Sequence, residues 1–157
     1  MKLTAFSIGK SDCIAAAVSN SPLLGDLYVM SEFANPGITE KAREVIIGDT
    51  TNPVAVAEQA KRIKPDFAIV ASEDPLAKGI VDALRDVGVP CVGPTKKLAQ
   101  LESSKSFTRN LIEKYGIPGN PRHRVFRNLD GLAEYLHANG DCVIKPDGLT
   151  GGKGVKV

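Results

Sequence analysis

Phe67-Ala68-Ile69-Val70-Ala71-Ser72-Glu73-Asp74-Pro75-Leu76 opens with four apolar residues and then turns abruptly polar. A short run with no polar alternation is the pattern of a strand covered on both faces, as in a parallel sheet. Downstream, Ile80, Val81 and Leu84 share one side of a helix expected from about Leu76 to Val87. Gly88-Val89-Pro90 ends that helix, and Cys91-Val92 forms a last short strand. Upstream, Pro53 starts a helix running to about Ile63, at the position where a missing N–H costs nothing. Val45-Ile46-Ile47, Leu27-Tyr28-Val29-Met30 and Leu3-Thr4-Ala5-Phe6-Ser7-Ile8 read as strands. Gly9 and Lys10 turn the first of these, and Ser11 or Asp12 caps a small-residue helix from Cys13 to Val18.

Strands alternating with helices imply an α/β fold, a doubly wound parallel sheet over residues 1–94. Ligands of such sheets bind beyond the carboxyl ends of the strands. That rule selects Gly9–Asp12, Asn35–Gly37 and Ser72–Asp74. No G-x-G-x-x-G follows the first strand, so the dinucleotide fingerprint is missing.

Residues 95–120 read as a bridging helical segment. Ser103 or Ser104 can cap a helix whose Phe107, Leu111 and Ile112 lie on one face. Lys105 falls in its first turn, where the helix dipole disfavours a cation. A functional anion partner is one explanation; a solvated surface lysine is the other. After Gly119-Asn120-Pro121, a strand at Arg124-Val125-Phe126, a helix from Asp130 to Ala138 and a strand from Cys142 to Lys145 are expected. Residues 121–157 are too few to bury a core alone, so this piece is expected to lean on the first domain or another chain, or to be poorly ordered.

The last stretch is Val143-Ile144-Lys145-Pro146-Asp147-Gly148-Leu149-Thr150-Gly151-Gly152-Lys153-Gly154-Val155-Lys156-Val157. An apolar run delivers a lysine, a glycine-rich loop follows, and an alternating run resumes. Glycines let backbone N–H groups approach phosphate oxygens, and lysines neutralise them. The commonest phosphate loop, G-x-x-x-x-G-K-[ST], leads into a helix. Here Gly154 follows Lys153, and Val155-Lys156-Val157 alternates like a strand. The pattern is either a strand–loop–strand flap over a nucleotide or an ordinary glycine-rich hairpin turn.

Composition narrows the classes. The 157 residues are 43% hydrophobic and 24% charged, as in a soluble globular protein. No run is long enough to span a membrane and no signal peptide precedes the first strand, so a cytoplasmic protein is expected. Residues 1–90 carry 9 basic and 12 acidic side chains, whereas 91–157 carry 11 and 6. This local positive charge suits a small polyanion and not nucleic acid, and the 5% aromatic content offers no base-stacking platform. Cys13, Cys91 and Cys142 form no C-x-x-C pair and are expected to be buried structural thiols. His123 and His137 lack metal-ligand spacing.

Gly93-Pro94-Thr95, Leu101-Glu102-Ser103-Ser104-Lys105-Ser106-Phe107, Tyr115-Gly116-Ile117-Pro118 and the Val143–Val155 stretch occur in that order. Together they resemble phosphoribosylamine–glycine ligases (glycinamide ribonucleotide synthetases) of the ATP-grasp superfamily. The resemblance implies a Rossmann-like amino-terminal substrate domain over 1–94 and an incomplete ATP-grasp subdomain over 121–157. It implies ATP-dependent ligation of glycine to 5-phosphoribosylamine, giving glycinamide ribonucleotide, ADP and phosphate in purine synthesis. Lys105 and Lys145 match the two lysines that contact ATP phosphates, and Gly148, Gly151, Gly152, Lys153 and Gly154 match the closing loop. Lys145 could instead simply end a strand, and Lys153 could be a solvated loop charge. The resemblance places Mg²⁺ ligands and the rest of the adenine pocket downstream, in the remainder of the same polypeptide. The chain is therefore expected to be an amino-terminal fragment, inactive alone, with no metal ligand and no assigned catalytic residue of its own.

Glu73 matches a glutamate that binds ribose hydroxyls in a Gly-Pro-Glu-x-Pro-Leu segment, of which this chain keeps Glu73 and Pro75-Leu76. Equally, Glu73 and Asp74 could merely favour the positive end of the next helix. Gly9, Lys10 and Ser11 stand where the family has Gly-x-Gly-Gly-Arg-Glu-His, and only the first glycine remains. A helix N-terminus there still suits phosphate, Lys10 could replace the missing arginine, and Asp12 opposes it. Pro36 and Gly37 complete the candidate substrate edge. The alternatives are another ATP-grasp carboxylate–amine ligase, such as a purine-pathway carboxylase or a biotin-carboxylase-like protein, or a non-catalytic nucleotide- or sugar-phosphate-binding module.

Overall fold

The computed structural model describes residues 2–9, 12–151 and 153–157. It divides into two compact units, residues 1–99 and 100–157. Lys10, Ser11 and Gly152, all expected site residues, lie outside the described residues.

In the first unit β1 (Leu3–Ile8), β2 (Leu24–Ser31), β3 (Glu44–Ile47), β4 (Phe67–Val70) and β5 (Cys91–Val92) form one sheet in the order β3-β2-β1-β4-β5. Every pairing is parallel, and Ile8 stands beside Met30 on one side and Val70 on the other. Alternation along β1 divides the core. Ala5 joins Ala15, Leu27, Val29 and Ile38 under α1 (Asp12–Ser19) and α2 (Pro36–Thr39). Phe6 and Ile8 join Val56, Ala60, Ile80, Val81 and Leu84 under α3 (Pro53–Ile63) and α5 (Ile80–Asp86). Burial on both faces is why β1 and β4 lack polar alternation.

The α3 helix spans the expected residues. Asn52 caps it by accepting from Val54 N and Ala55 N at 3.1 and 3.2 Å, and Pro53 follows. The single helix expected from Leu76 to Val87 is two, α4 (Glu73–Lys78) and α5. Gly79 at φ +89° separates them, donating to the Leu76 carbonyl at 3.1 Å in a left-handed cap. Cys13 is exposed, not buried, because Ala15 takes the inward face of α1. Cys91 is half-buried, and burial pushes its thiol up.

The division falls within α6 (Lys96–Ser103), whose first N–H donates to Asp82 Oδ2 at 2.7 Å. The second unit contains α7 (Lys105–Lys114) and α8 (Leu132–Asn139). None of its described residues is buried, because so short a segment encloses no core of its own. Two expected strands do not form. Arg124–Phe126 has no strand partner; instead the Arg124 guanidinium lies 5.1 and 5.2 Å from the Phe126 and Tyr135 ring centres. Phe126 meets Tyr135 edge-on at 5.5 Å. Cys142–Lys145 is reduced to one antiparallel bridge between Ile144 and Lys156. A lone two-stranded pairing has too little apolar cover to extend. Among the described residues no helix is long and apolar enough to cross a membrane.

Candidate functional site

At the carboxyl edge of the first unit's sheet, the order β2-β1-β4 puts the switch point between β1 and β4. Gly9 leaves β1 at φ +123°, and its N–H donates to the Met30 carbonyl at 3.1 Å. A Cβ built on Gly9 would lie 2.5 Å from Ser72 Oγ. The sheet thus brings Gly9 beside Ser72, the residue preceding Glu73. Glu73 is exposed as the first residue of α4. Pro36 and Gly37 open α2 after Asn35, whose side chain accepts from Gly37 N at 2.9 Å. The Gly37 carbonyl is occupied by Lys41 Nζ at 2.8 Å. Beyond β3, the buried Thr50 donates its hydroxyl to Glu32 at 3.4 Å, a pair that no spacing in the sequence marks.

The second unit holds the lysines and glycine loop. The Ile144–Lys156 bridge, with hydrogen bonds of 2.8 and 3.0 Å, closes the loop at its root without a strand on either side among the described residues. Within it Gly148, Gly151 and Gly154 take φ of +91°, +55° and +76°. At Gly154 a Cβ would also meet Pro146 Cγ at 2.9 Å, so both space and conformation require glycine. Lys153 N donates to the Thr150 carbonyl at 2.9 Å across the loop tip.

Ser104 caps α7 by accepting from Phe107 N at 3.1 Å. Lys105 follows it, and its Nζ donates to the Gly148 carbonyl at 2.6 Å. The anion at this helix end belongs to the protein itself: Asp147 Oδ1 accepts from Ser106 N at 3.2 Å. Both serine hydroxyls also donate to Asp147, Ser104 at 3.1 Å and Ser106 at 2.5 Å, and Gly148 N donates at 3.0 Å. These donors, the Ser106 hydroxyl foremost, hold the Asp147 carboxyl at about 2. Sequence reasoning missed Asp147, because Pro146-Asp147-Gly148 reads as a turn and its serine partners lie more than forty residues earlier.

Lys145 and Lys153 are exposed and make no side-chain hydrogen bond or ion pair among the described residues. The stretch 143–157 carries three lysines and one carboxylate, and that carboxylate is already satisfied by four donors. Glycines at positive φ beside uncommitted cations suit a polyphosphate. Among the described residues no group of three or more His, Cys, Asp or Glu could hold a metal ion.

Residues 6–102 match a family model described as phosphoribosylglycinamide synthetase, N domain, and residues 103–157 match the ATP-grasp (A) domain of the same synthetase. The chain belongs to the phosphoribosylglycinamide synthetase family. It is 44% identical over 133 residues to phosphoribosylamine–glycine ligase from Methanopyrus kandleri, covering 84% of this chain and 30% of that protein. It is 41% identical to the Methanococcus maripaludis ligase, covering 94% of this chain and 34% of the relative. It thus spans about a third of the length of the curated relatives it matches. Among solved structures, an N5-carboxyaminoimidazole ribonucleotide synthetase in complex with ADP superposes with a TM-score of 0.74 at 18% identity, covering 98% of this chain and 40% of that one. Glycinamide-RNase-transformylase T from Mycobacterium tuberculosis gives 0.67 at 14%, covering 89% and 40%. These last two likenesses show the fold alone; the family match is what marks residues 103–157 as ATP-grasp domain.

Proposed function

We propose that this chain is the amino-terminal part of an ATP-dependent ligase that joins glycine to 5-phosphoribosylamine, giving glycinamide ribonucleotide, ADP and phosphate. The family match over both units carries this reading. The site in the second unit supports it, because a glycine loop is tethered to Lys105 and leaves Lys145 and Lys153 uncommitted.

Glycine's carboxylate is a poor electrophile because oxide is a poor leaving group, and ATP supplies the phosphoryl group that makes a good one. Lys105 and Lys145 neutralise the phosphate oxygens. Gly148, Gly151, Gly152, Lys153 and Gly154 form the loop that covers them and excludes water, so that the ribosylamine nitrogen and not solvent attacks, while the Gly148 and Lys153 N–H groups stay with Asp147 and Thr150. Gly9, Lys10, Ser11, Pro36 and Gly37 receive the sugar phosphate, and Glu73 accepts from ribose hydroxyls. Among the described residues no carboxylate cluster suits Mg²⁺; the metal and the adenine contacts fall to the remaining length of such ligases. The setting is purine synthesis in the cytoplasm.

The test uses the polypeptide at the length of its relatives and follows phosphate release. Release should require glycine and phosphoribosylamine together. K105M and K145M should each raise the KM for ATP by about tenfold or more, the loss expected for one charge-assisted hydrogen bond. Release independent of glycine, or ATP affinity unchanged in both variants, would overturn the reading. E73Q should raise the KM for phosphoribosylamine alone.

A further inference from the structure

The start of α7 is capped more heavily than a helix requires. Ser104 Oγ already satisfies Phe107 N at 3.1 Å. A carboxylate more than forty residues downstream then takes Ser106 N, the Ser106 and Ser104 hydroxyls and Gly148 N. In the reverse direction Lys105 Nζ reaches the carbonyl of Gly148, the residue next to Asp147. Two adjacent loop residues therefore grip three consecutive residues of the helix start. One grip uses carboxylate acceptors and the other a lysine donor. The dipole repels a cation in this turn, so Lys105 needs a reason to stay. Asp147 supplies it by placing a fixed negative charge at the helix end and the Gly148 carbonyl within reach.

We propose that Asp147 is a positioning residue whose carboxylate locks the root of the glycine loop onto the start of α7 and so sets where Lys105 is presented. Its effect on phosphate binding rests on the ligase reading above; the lock itself does not. Because Asp147 fills the anion position at this helix end, incoming phosphate is directed to Lys105, Lys145 and the loop amides.

Two measurements separate the lock from its consequence. In the ligand-free 157-residue chain, D147A should speed amide hydrogen exchange at Ser106 by about tenfold, the loss of one charge-assisted hydrogen bond. K105M should leave that exchange unchanged within about twofold. Unchanged Ser106 exchange in D147A would refute the lock, whatever the enzyme does. In the full-length ligase, ATP affinity by calorimetry is compared for D147A, K105M and the double variant. D147A should weaken ATP about tenfold, and the double variant should be no weaker than K105M alone, because Asp147 acts through Lys105. Fully multiplicative losses would overturn the positioning role. If D147A does not fold, S104A/S106A, which keeps the carboxylate and removes two of its donors, must show the same coupling to K105M; additive losses there refute it equally. Loss of the lock with intact glycine-dependent turnover counts against Asp147 only. An intact lock in a protein without that turnover counts against the ligase reading only.

Discussion

Replacing Gly93 by Ala tests why the Gly93-Pro94-Thr95 segment follows β5. Gly93 sits at φ +146°, a region that L-residues seldom enter. A Cβ there would lie 3.0 Å from the Val70 carbonyl oxygen, 3.2 Å from Leu76 Cδ2 and 3.2 Å from Val81 Cγ2. Val70 belongs to β4 and its oxygen cannot rotate away, while Leu76 and Val81 belong to the buried core. The backbone conformation costs about 1–3 kcal/mol. Overpacking against a fixed carbonyl and two core side chains costs about 1–3 kcal/mol more. The expected loss is therefore about 2–6 kcal/mol, a large share of the stability of a domain this size. Gly88 provides the control: it has φ +83° but nothing within 4 Å of an added Cβ. G88A should cost only the conformational part, about 1–2 kcal/mol. Urea unfolding followed by far-ultraviolet circular dichroism, with the slope checked for constancy, reads both. If G93A is no more destabilising than G88A, the close approach at Gly93 carries no energetic weight.

Three further outcomes follow from local geometry. Asp147 titrates near 3.8 when unfolded and about 2 when folded, so its contribution is complete above about pH 5 and lost as pH falls towards 2. Solvent screening of an exposed carboxylate leaves about 1 kcal/mol of it, so the stability gap between wild type and D147N should narrow as pH falls from about 5 towards 2. N52A removes both bonds that start α3 and should cost about 1 kcal/mol in the same urea assay. Lys64, at φ 52°, is the one non-glycine residue with positive φ among those described, and it caps α3. K64G should therefore leave stability unchanged or raise it by up to about 1 kcal/mol, and a clear loss would show that the Lys64 side chain matters.

The first unit was largely legible because its signals are local. Phe67–Val70 needs only its own composition to declare a doubly covered strand, and Asn52-Pro53 marks a helix start without reference to anything distant. The misses came where a neighbour decides. Gly79 divides a helix that its apolar spacing left continuous, because a left-handed cap is open to glycine there. Arg124–Phe126 has strand composition, but its side chains are drawn to Tyr135 and no strand pairs with it.

The chain order of apolar runs, caps and turns was enough to establish a doubly wound parallel sheet and a lysine-bearing glycine loop, because hydrophobic period and turn chemistry act over a few residues. Tertiary structure alone decided that Gly9 meets Ser72 across the switch point and that Asp147, not an outside anion, occupies the start of α7. Those contacts join residues tens of positions apart, and a hydrogen bond depends on where the fold places donor and acceptor, which no local pattern records.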